Sequence, residues 1–250
     1  MNSRIAGAIA LALFLGACST RPISNSGYQA DSGYGGTGNP LYQGEIDTLD
    51  LLVPASQGKI EQGQIDAALA HHEPVTALLG QPLLVIQSGA LVPDAPMVSA
   101  LGGHFNVTPF SGIPTREQGT TPSSSPSVTY GERLRLAAAE GGYRRIFVYW
   151  GQLEASQTNG PTKIVSWVPL IGSLIPDQSQ KMRIVLNAAI IDVASGRWTL
   201  LSPEPVSDDA ISASINRESS DQEQVEMLKE AGYARLAALV IERAKAFNVP

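Results

Sequence analysis

Apolar residues between positions 82 and 110 form short continuous runs that alternate with a segment of helical periodicity. Leu83-Leu84-Val85-Ile86 is uninterrupted, which predicts a strand over Pro82–Gln87 that is buried on both faces. A short helix is predicted over 95–101, ended by a left-handed cap at Gly102-Gly103. A second strand over 105–110 is expected near a sheet edge, because Pro109 cannot donate to a ladder.

Stronger patterns follow in the second half of the chain. They predict a helix over Tyr130–Glu140 that Gly141-Gly142 ends, and a strand over 145–153 rich in β-branched and aromatic residues. Further on, 182–193 and Trp198–Leu201 flank Ala194-Ser195-Gly196-Arg197, where Gly196 supplies the positive φ of a tight antiparallel hairpin.

A long amphipathic helix is predicted at the end of the chain. Ser220-Asp221-Gln222-Glu223 has the spelling of a capping box, and the apolar residues that follow fall near one helix face: Val225, Leu228, Leu236, Leu239, Val240 and Phe247. Early crossovers, a late β-hairpin and a closing C-terminal helix together predict a single α/β domain with a mixed sheet over 81–250.

The N-terminal third has a different pattern. Residues 18–40 are rich in Ser, Gly, Asn and Tyr, which predicts a flexible tether. Residues 41–80 form a lead-in expected to pack on the domain, with a short helix over 59–71 that carries Ile60, Ile65, Ala68 and Leu69.

The first 18 residues have the layout of a bacterial secretory signal. Arg4 precedes an apolar stretch over 5–15 that is too short to span a bilayer as a stable helix, and small residues follow it. The ending Leu15-Gly16-Ala17-Cys18 resembles the lipobox of bacterial lipoproteins, which implies removal of residues 1–17 and acylation of Cys18. The alternative is that Cys18 is a core thiol. By analogy with enterobacterial lipoproteins, Ser19 implies sorting to the outer membrane.

Composition narrows the choice of partners. The net charge is −6 and the 17 Lys and Arg residues are scattered, which argues against nucleic acid as a partner. Cys18 is the only cysteine, so no disulfide can form within the chain, and packing alone must hold the domain together in an oxidising compartment. No second long apolar segment follows the signal.

A resemblance to a group of lipoprotein domains rests on two stretches of sequence. These are Tyr143-Arg144-Arg145-Ile146-Phe147-Val148 and the strand end Ile191-Asp192-Val193-Ala194-Ser195-Gly196-Arg197-Trp198. They look like the periplasmic domains of the curli-channel, TolB amino-terminal and penicillin-binding-protein-activator lipoproteins, over residues 81–247. The resemblance implies a scaffold or assembly role and carries over no catalytic residue.

Candidate catalytic and metal-binding residues are sparse. His71, His72 and Glu73 are consecutive and therefore do not converge on one metal, and His104 is the only other histidine. Ser88-Gly89 and Ser111-Gly112 follow predicted strands but have no spacing that implies a base, so turn roles are favoured. Asp208-Asp209 and the acids of 218–226 fit structural roles better than acid–base catalysis. We therefore predict no catalytic residue, no metal site and no cofactor.

The segment over 164–176 is the strongest candidate for an interaction surface. It is densely apolar, and its prolines and glycine prevent one long regular element. The predicted partner-binding residues are Trp167, Pro169, Leu170, Ile171, Leu174 and Ile175. The alternative is a loop folded into the core, or a strand that starts over 164–168.

These observations favour a lipid-anchored envelope protein whose periplasmic domain is a non-catalytic interaction or assembly factor. The expected partners are the outer membrane, reached through the anchor, and an envelope protein, and a homo-oligomer is possible. Two alternatives stay open: a lipid-anchored periplasmic hydrolase or peptidase, and a subunit of an oligomeric envelope channel.

Overall fold

Seven strands form one mixed sheet with helices on both of its faces. The computed structural model describes residues 22–26, 39, 41–54, 59–70, 72–114, 128–159, 164–169, 181–208 and 221–247. The predicted α/β class, with its late hairpin and C-terminal helix, is confirmed.

The elements begin and end as follows. The helices are α1 (Thr48–Leu52), α2 (Gln62–Ala70), α3 (Ala95–Gly102), α4 (Tyr130–Glu140) and α5 (Asp221–Phe247). The strands are β1 (Pro82–Gln87), β2 (Asn106–Phe110), β3 (Arg145–Asn159), β4 (Ile164–Pro169), β5 (Met182–Asp192), β6 (Trp198–Leu201) and β7 (Val206–Ser207). A 3-10 turn, Ile23–Asn25, precedes them.

The strand order is β2-β1-β3-β5-β6, and β4 and β7 pair with β3 and β5 respectively. β1 is parallel to both β2 and β3, whereas the remaining pairs are antiparallel. β2 lies at the sheet edge, as Pro109 predicts. The β5–β6 turn is also as predicted, since Gly196 has a φ of 73° and the Ser195 amide donates to Asp192 at 2.7 Å.

The two faces of the sheet carry different helices. α3 and α5 cover the face that includes Leu83, Phe147 and Tyr149, and α1 and α4 cover the face that includes Ile86 and Val148. From β1 the chain passes through α3 to β2 on one side of β1. It then passes through α4 to β3 on the other side of β1. In α/β sheets such a topological switch leaves a crevice at the carboxyl ends of the strands, where ligands commonly bind.

β3 is the longest strand and extends past the predicted end at 153. One of its edges pairs with β5 from Arg145 to Ala155. The other edge pairs first with β1, then with Pro22 through an isolated bridge at Gln152, and then with β4. The strand alternative over 164–168 is therefore the one adopted, because β4 completes an edge that β1 is too short to cover.

Four details differ from the sequence-based expectations. Gly103, at the end of α3, has a φ of −72°, so the left-handed cap is absent there, whereas Gly142 after α4 has a φ of 80°.

α2 forms as predicted, but Ile65 and Leu69 are exposed and so is every other residue of the helix. The lead-in packs instead through Ile46, Leu51, Leu52, Val75 and Ala77. Phe247 is also exposed, because α5 continues past the part of the sheet that it covers.

The fourth difference lies in the expected flexible tether. Of residues 18–40, the described stretch Pro22–Ser26 is packed into the domain, with Ile23 fully buried. Low aliphatic content predicts an unpacked chain, but Ile23 belongs to the hydrophobic core, and the two buried serines, Ser24 and Ser26, are hydrogen-bonded.

Candidate functional site

Polar side chains meet at the carboxyl end of β1, on the topological switch. Gln87, the last residue of β1, is fully buried and Ser88 follows it. The Tyr149 hydroxyl donates to Gln87 Oε1 at 2.6 Å, and the Asp94 amide donates to the same oxygen at 2.7 Å. Gln87 thus links β3 to the start of α3. Burial raises the pKa of Tyr149 well above its ordinary value, so this hydroxyl stays protonated and remains a donor.

Asp94 joins this group to the C-terminal helix. Its Oδ2 accepts from Lys229 Nζ at 2.9 Å and from the Tyr233 hydroxyl at 2.6 Å. Asp94 stands at the N-cap of α3, but its side chain makes no capping hydrogen bond. The carboxylate therefore serves contacts between elements, because a buried ammonium stabilises it more than an amide does.

The N-terminal segment is bound into the same cluster. Ser24 donates from its hydroxyl to the Ser88 carbonyl and accepts from Gln87 Nε2 at 3.0 Å. Lys229 Nζ donates to the Ser26 carbonyl at 3.1 Å. The five residues Pro22–Ser26 thus lie across the carboxyl ends of the strands, where an α/β enzyme commonly holds its substrate.

Part of the lead-in, around Glu45 and Ile46, also packs over the end of β1. The Ile46 amide donates to Ser88 Oγ at 2.8 Å, which places Glu45 over Gly89. Both carboxylate oxygens of Glu45 are buried and have no hydrogen-bond partner of good geometry among the described residues. Burial raises the pKa of Glu45 to about 7, and the nearby hydroxyls of Ser88 and Tyr42 oppose this only in part.

A cavity of about 330 Å³ remains between the start of α3 and the first part of α5. Its wall includes Ser26, Asp94, Pro96, Lys229 and Tyr233. Lys229 donates there to both Asp94 and the Ser26 carbonyl, so these groups hold three segments together. Among the residues that the structure describes, no three His, Cys, Asp or Glu side chains form a group that could hold a metal ion.

The histidines and Asp208, which the sequence analysis weighed for chemistry, do not converge in the described structure, whereas the loops at Ser88-Gly89 and Ser111-Gly112 meet through a hydrogen bond from the Gly89 amide to the Gly112 carbonyl. His104 precedes β2 at the opposite end of the sheet from Ser88, His72 is exposed, and His71 lies outside the described residues. Asp208 accepts from the Met182 amide at 2.9 Å and from Gln224 at 3.0 Å, which is a structural role.

The predicted partner-binding residues are described only in part. The backbone of Trp167 and Pro169 lies in β4, in register with Ser156 and Glu154 of β3. Leu170, Ile171, Leu174 and Ile175 lie outside the described residues, as does Cys18.

The sequence pattern does not predict the cluster at the end of β1. Its one local signal is Ser88-Gly89 directly after a buried strand, and this pattern is typical of a turn. Ser88 bonds to Ile46, Gln87 to Ser24 and Asp94 to Tyr233 over 42, 63 and 139 residues of chain respectively, so no local spacing reveals these contacts.

Comparison with known proteins places the chain in a family. The model of the YafT bacterial lipoprotein family matches residues 47–243, which is most of the sequence. The chain belongs to this family. It is therefore a bacterial lipoprotein of the cell envelope, as the signal and Cys18 predict in outline. No curated protein matches the sequence.

The match covers the folded core and ends close to the end of α5. It begins at Asp47, so Ser24 and Ser26, which bond to the cluster at the end of β1, lie before it. Within the described part of the chain, no helix combines the length and apolar character needed to cross a bilayer.

Proposed function

We propose that this lipoprotein is a non-catalytic interaction or assembly factor, held at the outer membrane by acyl chains on Cys18 with its domain in the periplasm. One observation carries the proposal: the chain's own N-terminal segment occupies the crevice where the fold would otherwise receive a ligand. Ser24 and Ser26 take up hydrogen bonds from Gln87 and Lys229 there.

This arrangement favours surface contacts over pocket chemistry. The polar side chains at the switch are used to close the crevice, and the Ser24 and Ser88 hydroxyls are engaged without a described histidine at this end of the sheet. The fold-level resemblance to the curli-channel, TolB amino-terminal and penicillin-binding-protein-activator domains is part of this proposal and agrees with an assembly role.

The proposed interaction surface is β4 together with the chain up to Ile175. Among described strands β4 pairs with β3 alone, which leaves a row of backbone donors and acceptors for another chain. The stretch 155–180 contains only two charged residues, Lys163 and Asp177, so burial against a partner requires little desolvation of charge. In this proposal Trp167 is the aromatic anchor, and the other partner-binding residues are Pro169, Leu170, Ile171, Leu174 and Ile175.

The anchor is tested by Cys18→Ser. The three acyl chains of a mature lipoprotein exceed what stable membrane residence requires, so loss of the single acceptor should release the protein from the membrane. Metabolic labelling with an alkyne-bearing palmitate should mark the parent and leave the variant unlabelled. Equal labelling of both proteins would contradict the anchor.

The surface is tested with the double variant Trp167→Ala and Leu170→Ser. A photo-crosslinking residue at a neighbouring position, Ser166, should give a discrete adduct in cells that the double variant loses. Truncation of a central aromatic typically costs about 2 kcal/mol, or roughly thirty-fold in affinity. The melting temperature should stay close to that of the parent.

The matched control is Trp198→Ala with Leu200→Ser, which removes the same residue types from β6, the strand at the other end of the sheet. This control should leave the adduct intact. If the Trp167 variant melts lower and loses the adduct only in proportion to unfolding, the segment belongs to the core and the proposed surface is wrong.

The enzyme alternative has its own test. Replacement of His71, His72 and His104 together should leave the cellular role intact, because their positions support neither a metal site nor a general base. Loss of the role in a folded triple variant would favour a hydrolase. A large stable ring in detergent would favour the channel alternative.

A further inference from the structure

Three loops meet at the carboxyl end of β1 and expose apolar side chains there. Gly89 donates to the Gly112 carbonyl at 2.9 Å, and Gly112 donates to the Ala90 carbonyl at 2.8 Å, which joins the loops after β1 and β2. The third loop reaches the same place through Ile46 and Ser88. Leu41, Leu91, Val92 and Phe110 are exposed by 55%, 50%, 61% and 42% respectively.

These four residues, called here the apolar rim, lie where the chain enters the domain. Asn39 donates to the Ser24 carbonyl at 3.2 Å and accepts from the Leu41 amide at 2.9 Å. Ser24 in turn bonds to Ser88, three residues before Leu91. The rim is thus continuous with the buried segment that starts at Pro22.

The distance from the lipid to this end of the domain is short. Pro22 is buried and bridges to Gln152 of β3, and it stands four residues after Cys18. Four residues of fully extended chain span at most about 14 Å. A domain attached through Cys18 therefore cannot move far from the bilayer, and the end of β1 is the end held near it.

The three loops are uncharged, which favours insertion of their apolar side chains into a lipid surface. The stretches 41–44, 88–93 and 110–114 contain no charged residue. At their borders, the carboxylate of Asp94 is neutralised by Lys229, and the carboxyl group of Glu45 is buried. Exposed aliphatic side chains on neutral loops lose little on entering the head-group layer and gain by leaving water.

We infer that the apolar rim, Leu41, Leu91, Val92 and Phe110, docks on the bilayer that carries the anchor, so that the domain has a fixed orientation on the membrane. This inference rests on the proposed acylation of Cys18. β3 runs parallel to β1 and continues from Tyr149, which pairs with Gln87, to Asn159, so the β3–β4 hairpin projects from the same end of the sheet. The proposed partner surface would then lie close to the membrane.

The test uses the full lipidated protein with one added thiol. Acylation blocks the sulfur of Cys18, so Val92→Cys or Leu136→Cys provides a unique site for an environment-sensitive fluorophore. Leu136 is a matched control, because it is an aliphatic residue exposed by 62% on α4, away from the rim. Each labelled protein is reconstituted in vesicles of phosphatidylethanolamine and phosphatidylglycerol, and quenching by nitroxide lipids is compared with quenching by iodide.

The label at position 92 should lie about 5–10 Å into the boundary between head groups and acyl chains and be shielded from iodide. The label at 136 should be quenched by iodide alone. Because the rim is uncharged, a high salt concentration should not change this difference. Adding Leu91→Gln should move the label at 92 toward water.

Flotation of the vesicles separates the two ways of failing. If neither labelled protein floats, the proposed acylation of Cys18 is wrong, and so is the docking inference that rests on it. If both float and iodide quenches the two labels equally, the anchor stands and the docking is wrong. A photo-crosslinker at Val92 that gives protein adducts and no lipid adducts in cells would assign the rim to a protein partner and overturn the inference.

Discussion

Lys229 donates from its ammonium to the backbone carbonyl of Ser26 at 3.1 Å, across 203 residues of chain. The same ammonium holds the carboxylate of Asp94 at 2.9 Å. One side chain of α5 therefore joins the N-terminal segment to the start of α3. Because Lys229 is buried, the contact is protected from water and from screening by salt.

Removal of this ammonium should weaken the whole domain. Lys229→Met keeps an unbranched side chain that is one atom shorter but leaves the Asp94 carboxylate without its counter-charge, so the free energy of unfolding should fall by about 3 kcal/mol. Hydrogen exchange at the Asn25 amide, which bonds to the Pro22 carbonyl, should become faster. Lys245→Met, at an exposed position of the same helix, should change stability by less than about 0.5 kcal/mol in urea unfolding. Equal losses in the two variants would show that the contacts of Lys229 with Asp94 and Ser26 do not stabilise the domain.

Alanine at Gly89, with Gly142 as the matched control, tests how closely the lead-in packs over the end of β1. Both have positive φ, 76° and 80°, so alanine strains either backbone by about 1 kcal/mol or more. A Cβ at Gly89 would lie 2.7 Å from Glu45 Oε1 and 2.8 Å from the Tyr42 ring, whereas a Cβ at Gly142 meets nothing within 4 Å. Gly89→Ala should therefore cost at least about 1 kcal/mol more than Gly142→Ala in denaturant unfolding. Similar costs would show that the lead-in does not press on Gly89.

Glu45 should make stability depend on pH near neutrality. Its folded pKa of about 7 lies above the ordinary value of 4.5, so the folded state holds the proton more tightly than the unfolded state. The resulting stability is fully present below about pH 4.5 and is lost as the pH rises through 7. Glu45→Gln keeps a neutral side chain, so relative to the parent it should gain up to about 3 kcal/mol between pH 5 and pH 8. Parallel stability curves for the two proteins over this range would contradict the burial of the carboxyl group.

The central position of β3 is tested by Val148→Asp. Val148 is fully buried between the sheet and α4, so an aspartate there has no partner and the domain should unfold, with a loss beyond about 4 kcal/mol. Leu136→Asp, on the exposed side of α4, should leave the circular dichroism spectrum and the melting temperature near those of the parent. A folded Val148→Asp protein would mean that β3 is not central.

The type and order of the main elements follow from local pattern. The uninterrupted run in β1, the aromatic and β-branched run in β3 and the Gly196 turn are each specified within about ten residues. Their agreement with the structure reflects short-range physics, namely side-chain periodicity and glycine geometry. The capping box of α4, in which Thr129 and Glu132 bond to each other's backbone amides, is equally local.

The extent of β3 and the burial of Pro22–Ser26 could not be read in this way. Residues 154–159 are mostly polar and, apart from Thr158, have weak strand propensity. They form a strand because β4 pairs with all of them and β5 pairs with the first two. Ile23 becomes a core residue because the sheet end leaves a space for it, which no pattern around position 23 reveals.

Local patterns along the chain are enough to specify the α/β class, the hairpin, the closing helix and, through Leu15-Gly16-Ala17-Cys18, the expectation of a lipid anchor that the lipoprotein family supports. What lies at the end of β1 depends on packing, because Gln87 meets Ser24, and Lys229 meets Asp94 and Ser26, across 63 to 203 residues of chain. Such contacts depend on how the helices and strands pack together, and this information is shared among distant residues and is absent from any one stretch of chain.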